Sequence, residues 1–198
     1  MTGLVFATFE EALPFLQRYE RGRFDELTEG DVLMDDRIIV TIIGSGKVKA
    51  TLRTERFLQT HRPDVLLHVG LCIALKPEGK LAELISMSQV FEGDRIEMAA
   101  PTYPRIPLDT IDESLSEGIL VTQDHLSREK AEQTYWQRIA DYQDSTGYAV
   151  SYVAATHGVP SRIVKVVGGH ANETKQDVRA ARREAAEALG KYLVRFFS

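Results

Sequence analysis

The sequence TIIGSGKVKA (residues 41–50) carries an apolar run into a glycine-containing turn, and PDVLLHVGL (residues 63–71) contains a second apolar run. The first stretch predicts a strand, a tight turn and the start of a helix, because Val48 to Thr60 has apolar residues at helical spacing. The second is the continuous apolar run typical of a strand that is buried on both faces. Two such strands separated by a helix predict an α/β sheet covered by helices.

The segments on either side extend the same alternation. Before the glycine turn, Leu4 to Ala7 predicts an opening strand, Phe9 to Tyr19 a helix, and Val32 to Ile43 two strands joined at Asp35-Asp36. The later predictions are an extended segment at 84–96, a loop at 100–116, a strand at 118–122, helices at 127–139 and 145–157, a strand at 162–167 and a helix at 174–197. No repeat or linker interrupts this order, which predicts one domain over residues 1–198.

Composition excludes several classes of function. Asp and Glu number 29 against 24 Lys and Arg, a net charge of -5, which disfavours a nucleic-acid surface because such a surface needs clustered cations. A single cysteine, Cys72, excludes a disulfide framework, and no paired-ligand spacing indicates a metal site or a cofactor. The chain has no basic leader and no apolar run near the roughly 20 residues of a membrane span. We expect a cytoplasmic protein that contacts neither membrane nor nucleic acid.

The glycine turn at Gly44 to Lys47 invites comparison with phosphate-binding loops. A Walker loop requires a glycine at position 41 and a serine or threonine at 48, where this chain has Thr41 and Val48. The dinucleotide fingerprint also fails, because the third glycine is missing. Two interpretations stay open: backbone N–H groups that face an anion or a sugar hydroxyl, and a tight turn with a purely structural role.

The motifs, taken in order, resemble the nucleoside phosphorylase and methylthioadenosine/S-adenosylhomocysteine nucleosidase superfamily. The resemblance is carried by Gly44-x-Gly46-Lys-x-x-Ala50, by Pro63-Asp64 and its strand, and by the opening segment Leu4 to Leu13. It continues through the strand and turn at 118–124 and the helix–turn–strand unit at 144–165, where Gly-Tyr-Ala-Val at 147–150 is nearest to futalosine hydrolases. The chain is shorter than is usual for the family, and the missing length falls between about residues 97 and 118.

This resemblance implies an α/β fold whose central mixed sheet is partly barrel-like and flanked by helices. It implies cleavage of the N-glycosidic bond of a purine-type nucleoside, by a protein that pairs as a homodimer. Such cleavage needs an acid for the leaving base, a carboxylate that activates water, and a grip on the ribose hydroxyls. Leu71 stands where phosphate-using members have serine or threonine, and apolar Cys72 and Ile73 follow it, so hydrolysis is favoured over phosphorolysis.

Position by position, the resemblance assigns Glu11 to the attacking water, although a first-turn helix acid is also favoured by the helix dipole. Thr146 stands where the family grips ribose with glutamate, and Ser145 where it has methionine. Gly169 occupies the position of the catalytic aspartate and cannot donate a proton. His170 follows it, and our hypothesis is that its imidazole replaces the lost acid; the alternative is a surface histidine.

Other residues complete the predicted pocket. Thr8, Gly44, Gly46 and Leu71 lie in its matching segments, and Tyr148 is expected to stack on the base or to pack in an interface. His68 is predicted to be a satisfied core histidine. Five charged residues near the C-terminus are predicted to form a solvated helix face: Arg179, Arg182, Arg183, Glu184 and Glu187. Four apolar and aromatic residues are predicted to form the dimer face: Leu52, Phe57, Tyr135 and Trp136. We expect little cleavage of methylthioadenosine; the alternative is a homologue that binds a nucleoside or base without turnover, or that serves a structural role.

Overall fold

The computed structural model describes residues 1–21, 27–94, 104–126, 129–171 and 175–198, with backbone alone at 175–178. Within these residues the chain forms nine strands and five helices. The strands are β1 Thr2–Phe6, β2 Val32–Met34, β3 Ile38–Ile42, β4 Val65–Ala74, β5 Leu84–Glu92, β6 Arg105–Pro107, β7 Ser116–Thr122, β8 Tyr142–Asp144 and β9 Ser161–His170. The helices are α1 Phe9–Leu16, α2 Lys47–Thr60, α3 Lys130–Trp136, α4 Gly147–Thr156 and α5 Lys175–Phe197.

The sheet is mixed and partly closed, as the sequence predicts. Strands β2, β3, β1 and β4 lie side by side in an open half, in which β1 pairs in parallel with both β3 and β4. The long strand β4 continues past β1 to pair with β8, while its other edge pairs with β9. Because β9 also pairs with β5, the strands β4, β8, β7, β5 and β9 close into a ring. This ring is the barrel-like part of the fold.

Helices cover both faces of the open half. Helices α1 and α5 bury one face around Phe6, Phe15 and Leu189, and α2 and α4 bury the other around Phe57 and Val150. Helices α1 and α5 approach closely at Gly190, where a Cβ atom would lie 2.7 Å from the Cβ of Pro14. None of the described helices combines the length and the apolar character that crossing a membrane requires. The site described below lies between this helix pair and the sheet.

The structure corrects several predicted elements. Strand β6 lies inside the predicted loop; it is short, pairs only with β5 and ends at Pro107, as an edge strand can because its outer N–H groups need no partner. Strand β8 was not predicted, since three residues are too few to show a pattern. Strand β9 runs on to His170, so the Gly168-Gly169 pair belongs to a strand. The predicted cap Ser127 lies outside the described residues.

The predicted dimer face is wrong in two of its four members. Phe57 is 2% exposed and packs in the core beneath α2, and Trp136 is 3% exposed and packs against Phe91. Leu52 and Tyr135 are exposed. Apolar residues at helical spacing serve a core and an interface equally well, so the sequence could not separate the two.

Candidate active site

A cavity of about 870 Å³ opens between the sheet and the helix pair α1–α5. The ends of strands β1, β3, β7 and β8 reach it through Thr8, Ser45, Asp124 and Thr146. The second half of β4 contributes Leu71 to Ile73, and β9 contributes Gly168. Polar groups that follow four strands therefore face one volume, which apolar residues of β4 and a glycine of β9 also line, as expected at strand ends in α/β folds.

Glu11 is a buried acid in the cavity wall. It stands in the first turn of α1, where Thr8 Oγ1 accepts from its N–H and its Oε2 accepts from the Thr8 N–H at 2.9 Å, a reciprocal capping box. Its Oε1 accepts from the Leu71 N–H at 2.8 Å. A side chain at Gly70 would place its Cβ 2.9 Å from this oxygen, at a φ of 155°, so glycine admits the carboxylate here.

The carboxylate of Glu11 is held in place and retains bonding capacity. Burial raises its pKa, while the charge of Lys165 and the two backbone amides favour the ionised form. Each oxygen accepts one backbone hydrogen bond and keeps a second acceptor position. A water molecule or a sugar hydroxyl can therefore donate to Glu11 without displacing its existing partners.

A buried ion pair lies beside Glu11. Lys165 on β9 is 1% exposed, and its Nζ donates to Asp144 Oδ2 at 2.9 Å and to His68 Nε2 at 2.9 Å. Asp144 also accepts from the Gly147 N–H at 2.8 Å, which caps α4, and from the Thr122 hydroxyl at 2.7 Å. Burial would raise the pKa of Asp144, but Lys165 and His68 outweigh it and hold that pKa far below its usual value.

The hydrogen-bond partners of His68 determine which of its ring nitrogens carries the proton. Its Nδ1 lies 3.0 Å from the Val5 carbonyl and must donate, so Nε2 carries the lone pair that faces Lys165. Burial, then the charge of Lys165, lowers the pKa of His68 to about 4, and the ring is neutral at physiological pH. The Thr146 hydroxyl lies 2.9 Å from Nε2, but the lone pair of that nitrogen already accepts from Lys165. The hydroxyl therefore donates to Asp144 Oδ2 at 3.2 Å. The buried histidine of the sequence prediction thus lies behind the cavity wall, next to the lining residue Thr146.

The structure brings five of the predicted site residues to the cavity wall: Thr8, Glu11, Leu71, Ser145 and Thr146. It does not bring the others there. Gly44 and Gly46, both with positive φ, flank Ser45, which does line the cavity. Tyr148 lies outside the lining and stacks on Tyr152 with ring centroids 5.9 Å apart.

The two residues at the predicted acid position also lie outside the lining. Gly168 reaches the cavity, whereas Gly169 and His170 do not. His170 pairs with Ala74 at the end of β9, and its Nε2 lies 2.7 Å from the Gly79 carbonyl. The strand conformation of this segment turns the imidazole toward that loop.

Acidic side chains bind Lys47, the residue that follows the glycine turn. The Lys47 side chain pairs with Glu92 at 2.9 Å and Asp94 at 2.6 Å, and the Lys47 N–H donates to Asp124 Oδ1 at 2.8 Å. A phosphate loop needs this lysine and this amide for the anion. At the start of α2, both the amide and the side chain of Lys47 are therefore already bonded to carboxylates.

Sequence reasoning missed Lys165 and Asp144. A lone lysine in an otherwise apolar strand, Arg-Ile-Val-Lys-Val-Val, was the available signal, because a lysine is rarely buried without a partner. Cys72 also lines the cavity, but burial raises the pKa of its thiol, which does not suit a nucleophile. Among the described residues, no three His, Cys, Asp or Glu side chains are grouped so as to hold a metal ion.

Fold and site together define a single α/β domain with a partly closed mixed sheet and a buried carboxylate at the strand ends. The family model described as "Phosphorylase superfamily" matches residues 2–198, and the chain belongs to this family. No curated protein matches the sequence.

Solved structures share the fold at low identity. The Helicobacter pylori 5'-methylthioadenosine/S-adenosyl homocysteine nucleosidase superposes with a TM-score of 0.80 at 18% identity, over 97% of this chain and 95% of that one. The futalosine hydrolase of the same organism superposes with a TM-score of 0.79 at 19% identity, over 97% of this chain and 94% of that one. The Arabidopsis thaliana 5'-methylthioadenosine nucleosidase superposes with a TM-score of 0.79 at 21% identity, over 99% of this chain and 94% of that one.

Proposed function

We propose that this protein hydrolyses the N-glycosidic bond of a purine-type nucleoside. The observation that carries the proposal is the buried Glu11 carboxylate, fixed by two backbone amides in the wall of the cavity. Membership of the phosphorylase superfamily and the shared fold of nucleosidases support the class of reaction.

In the proposed reaction, Glu11 takes a proton from water as the water oxygen bonds to the anomeric carbon. The bond between that carbon and the base nitrogen breaks, and the base leaves with the electron pair and then acquires a proton. In this proposal the Thr146 hydroxyl, which donates to Asp144, accepts from a ribose hydroxyl. Positioned acid–base groups of this kind contribute typically about 10²–10⁴-fold to the rate.

Protonation of the leaving base sets the substrate preference. Gly169 has no proton to give, and the imidazole of His170 is directed at Gly79. The other histidine near the strand ends, His125, has Nε2 2.7 Å from Glu132 and Nδ1 3.2 Å from Asp94. A base that leaves readily without a strong acid is therefore favoured, and methylthioadenosine should be cleaved slowly.

Hydrolysis is proposed in preference to phosphorolysis. The acidic partners at the start of α2 repel an anion, and the wall formed by Leu71, Cys72 and Ile73 offers no hydroxyl to one. The family does include phosphate-using members, so the measurement must separate the two reactions. Base release that does not depend on added phosphate is the expected result.

A second candidate function is binding of a nucleoside or base without turnover. It is favoured by one observation, the absence of a side chain at Gly169. In this case the buried ion pair of Lys165 and Asp144 serves only to shape the cavity.

Base release from a panel of nucleosides tests these alternatives. Wild type, Glu11→Gln and His170→Ala are compared, with binding measured in parallel by calorimetry. Activity that is lost in Glu11→Gln and kept in His170→Ala supports the proposal and removes the relocated acid. Fast cleavage of methylthioadenosine would contradict the assignment of a missing acid, and binding without any base release would favour the second candidate.

We also propose that the protein is a cytoplasmic homodimer. Helices α2 and α4 pack together and expose Val48, Leu52 and Tyr152, which are between 52% and 71% exposed. An exposed apolar group of this kind is typical of an interface. The cytoplasmic location is supported by a separate observation, since the single buried thiol of Cys72 is compatible with a reducing compartment. Sedimentation of wild type and Leu52→Asp tests the dimer: wild type should sediment as a dimer and the variant as a monomer near 22.2 kDa. A monomeric wild type would refute it.

A further inference from the structure

Gln143 on β8 brings an unpaired hydrogen-bond acceptor to the wall of the cavity. The residue is 3% exposed, and its Nε2 donates to the His125 carbonyl at 2.6 Å. Because a carbonyl only accepts, this bond fixes which end of the side-chain amide carries the N–H groups. The other end, Oε1, is buried and has no hydrogen-bond partner among the described residues. The proposed reaction makes no use of this oxygen.

A buried amide oxygen without a partner destabilises the protein that holds it, and native structures pair nearly all such groups. Within the described part of the chain, three other buried side-chain atoms also lack partners: Thr54 Oγ1, Ser151 Oγ and Arg162 Nε. None of these three residues lines the cavity. Gln143 differs from them because it combines an unpaired acceptor with a place in the cavity wall, where a donor on a bound ligand would satisfy it.

The strand pairing sets the distance between Gln143 and the proposed reaction centre. Leu71, whose N–H donates to Glu11, lies two residues before Ile73 on β4, and Ile73 pairs with Gln143 on β8. Two residues of a strand span about 7 Å. This span is comparable to the distance in a purine from the glycosidic nitrogen to the far edge of the six-membered ring. A sugar whose anomeric carbon lies near Glu11 can therefore direct its base along β4 toward Gln143.

Apolar side chains accompany Gln143 in the cavity lining. Ile73 lies beside it in the sheet, and Leu126 follows His125, whose carbonyl binds the Gln143 amide. Apolar walls with a few polar groups suit a flat ring whose faces are apolar and whose edge forms hydrogen bonds. The last torsion of a glutamine side chain is soft, so a small rotation of the amide turns Oε1 toward the cavity while Nε2 stays near the His125 carbonyl.

We propose that Gln143 selects the base of the substrate: its Oε1 accepts a hydrogen bond from an N–H group on the six-membered ring of a purine, whether an exocyclic amino group or a ring N–H. An amide oxygen accepts and has no proton to give, so Gln143 determines specificity and does not replace the missing acid. This inference rests on the proposed nucleoside cleavage for the placement of the base, and it deepens that function by naming the hydrogen-bonding character of the base.

The test is equilibrium binding of three carbocyclic nucleosides, in which a CH₂ group replaces the ring oxygen of the sugar so that the base is not released. Their bases are adenine, with an exocyclic amino group, hypoxanthine, with a ring N–H, and unsubstituted purine, whose six-membered ring carries no N–H. The proteins are wild type, Gln143→Met and Gln17→Met, since methionine keeps the length of glutamine without its polar atoms. Gln17 also lines the cavity, at the end of α1, and is the matched control.

Wild type should bind the better of the two N–H-bearing ligands about 5–30-fold more tightly than the purine ligand, the range expected when a buried acceptor gains its partner. Gln143→Met should bind all three with nearly equal affinity, and Gln17→Met should keep the wild-type ratio. Whichever ligand binds more tightly identifies the donor as an amino group or a ring N–H. A preference without cleavage of any nucleoside would contradict the proposed hydrolysis alone, and cleavage without a preference would contradict this inference alone.

Three results would overturn the inference, and the first needs no variant. It is equal affinity of wild type for the three ligands, or no binding of any of them, which would leave the acceptor to a water molecule. The second is a preference that survives in Gln143→Met, which would assign the N–H group to another acceptor. The third is an equal loss of the preference in Gln17→Met, which would show a general change in the cavity.

Discussion

Acid should weaken this fold through one buried histidine. His68 is fully buried, and its pKa falls from 6.5 to about 4 in the folded protein. Between these two values the unfolded chain takes up a proton that the folded chain refuses, so stability decreases as the pH falls through this window. A shift of this size corresponds to about 3 kcal/mol of unfolding free energy, all of it lost by about pH 4.

Urea unfolding followed by the fluorescence of buried Trp136, at several pH values across the window, measures this loss. His68→Asn removes the titrating group and should flatten the dependence, although the variant is less stable at every pH. Val69→Ala, on the same strand and fully buried, is the matched control: it destabilises the fold and should keep the wild-type slope. Burial raises the pKa of Glu11, so protonation of this residue stabilises the folded protein as the pH falls. This opposite effect is present in wild type and in both variants. Parallel curves for wild type and His68→Asn would refute the reasoning.

Lys165→Met should lower the unfolding free energy by about 3–5 kcal/mol, because it leaves Asp144 charged and buried without its cation; a loss below about 1 kcal/mol in urea would contradict this. If Glu11 is the base, the rate of base release should fall on acidification at a pH above the ordinary glutamate value of 4.5, since burial raises its pKa, and a pH–rate profile measures this. Thr146→Val should weaken nucleoside binding several-fold, the equivalent of about 0.5–1.5 kcal/mol; unchanged affinity of the folded variant in calorimetry would place the ribose elsewhere.

The order of elements and the family could be predicted from local sequence. Apolar runs such as 65–71 specify buried strands, and the glycine turn at 44–46 specifies a strand-to-helix connection, because both depend on residues adjacent in the chain. Glu11 is assigned through the family resemblance of the opening segment, and the structure holds it in a capping box with Thr8. Strand β8 could not be predicted from local sequence, because its three residues form their strand hydrogen bonds with the distant strands β4 and β7.

The sequence by itself determined the α/β class, the single domain, the position of the glycine turn and the candidate carboxylate Glu11. Only the tertiary structure decided which polar residues share the cavity. Lys165, Asp144 and His68 come from three separate strands, and the pairing of β9 with β4 places their polar atoms 2.9 Å to 3.8 Å from one another. It also decided that His170 lies against the Gly79 carbonyl and outside the cavity lining. Burial and charge pairing depend on contacts between residues distant in the chain, and a local pattern does not encode them.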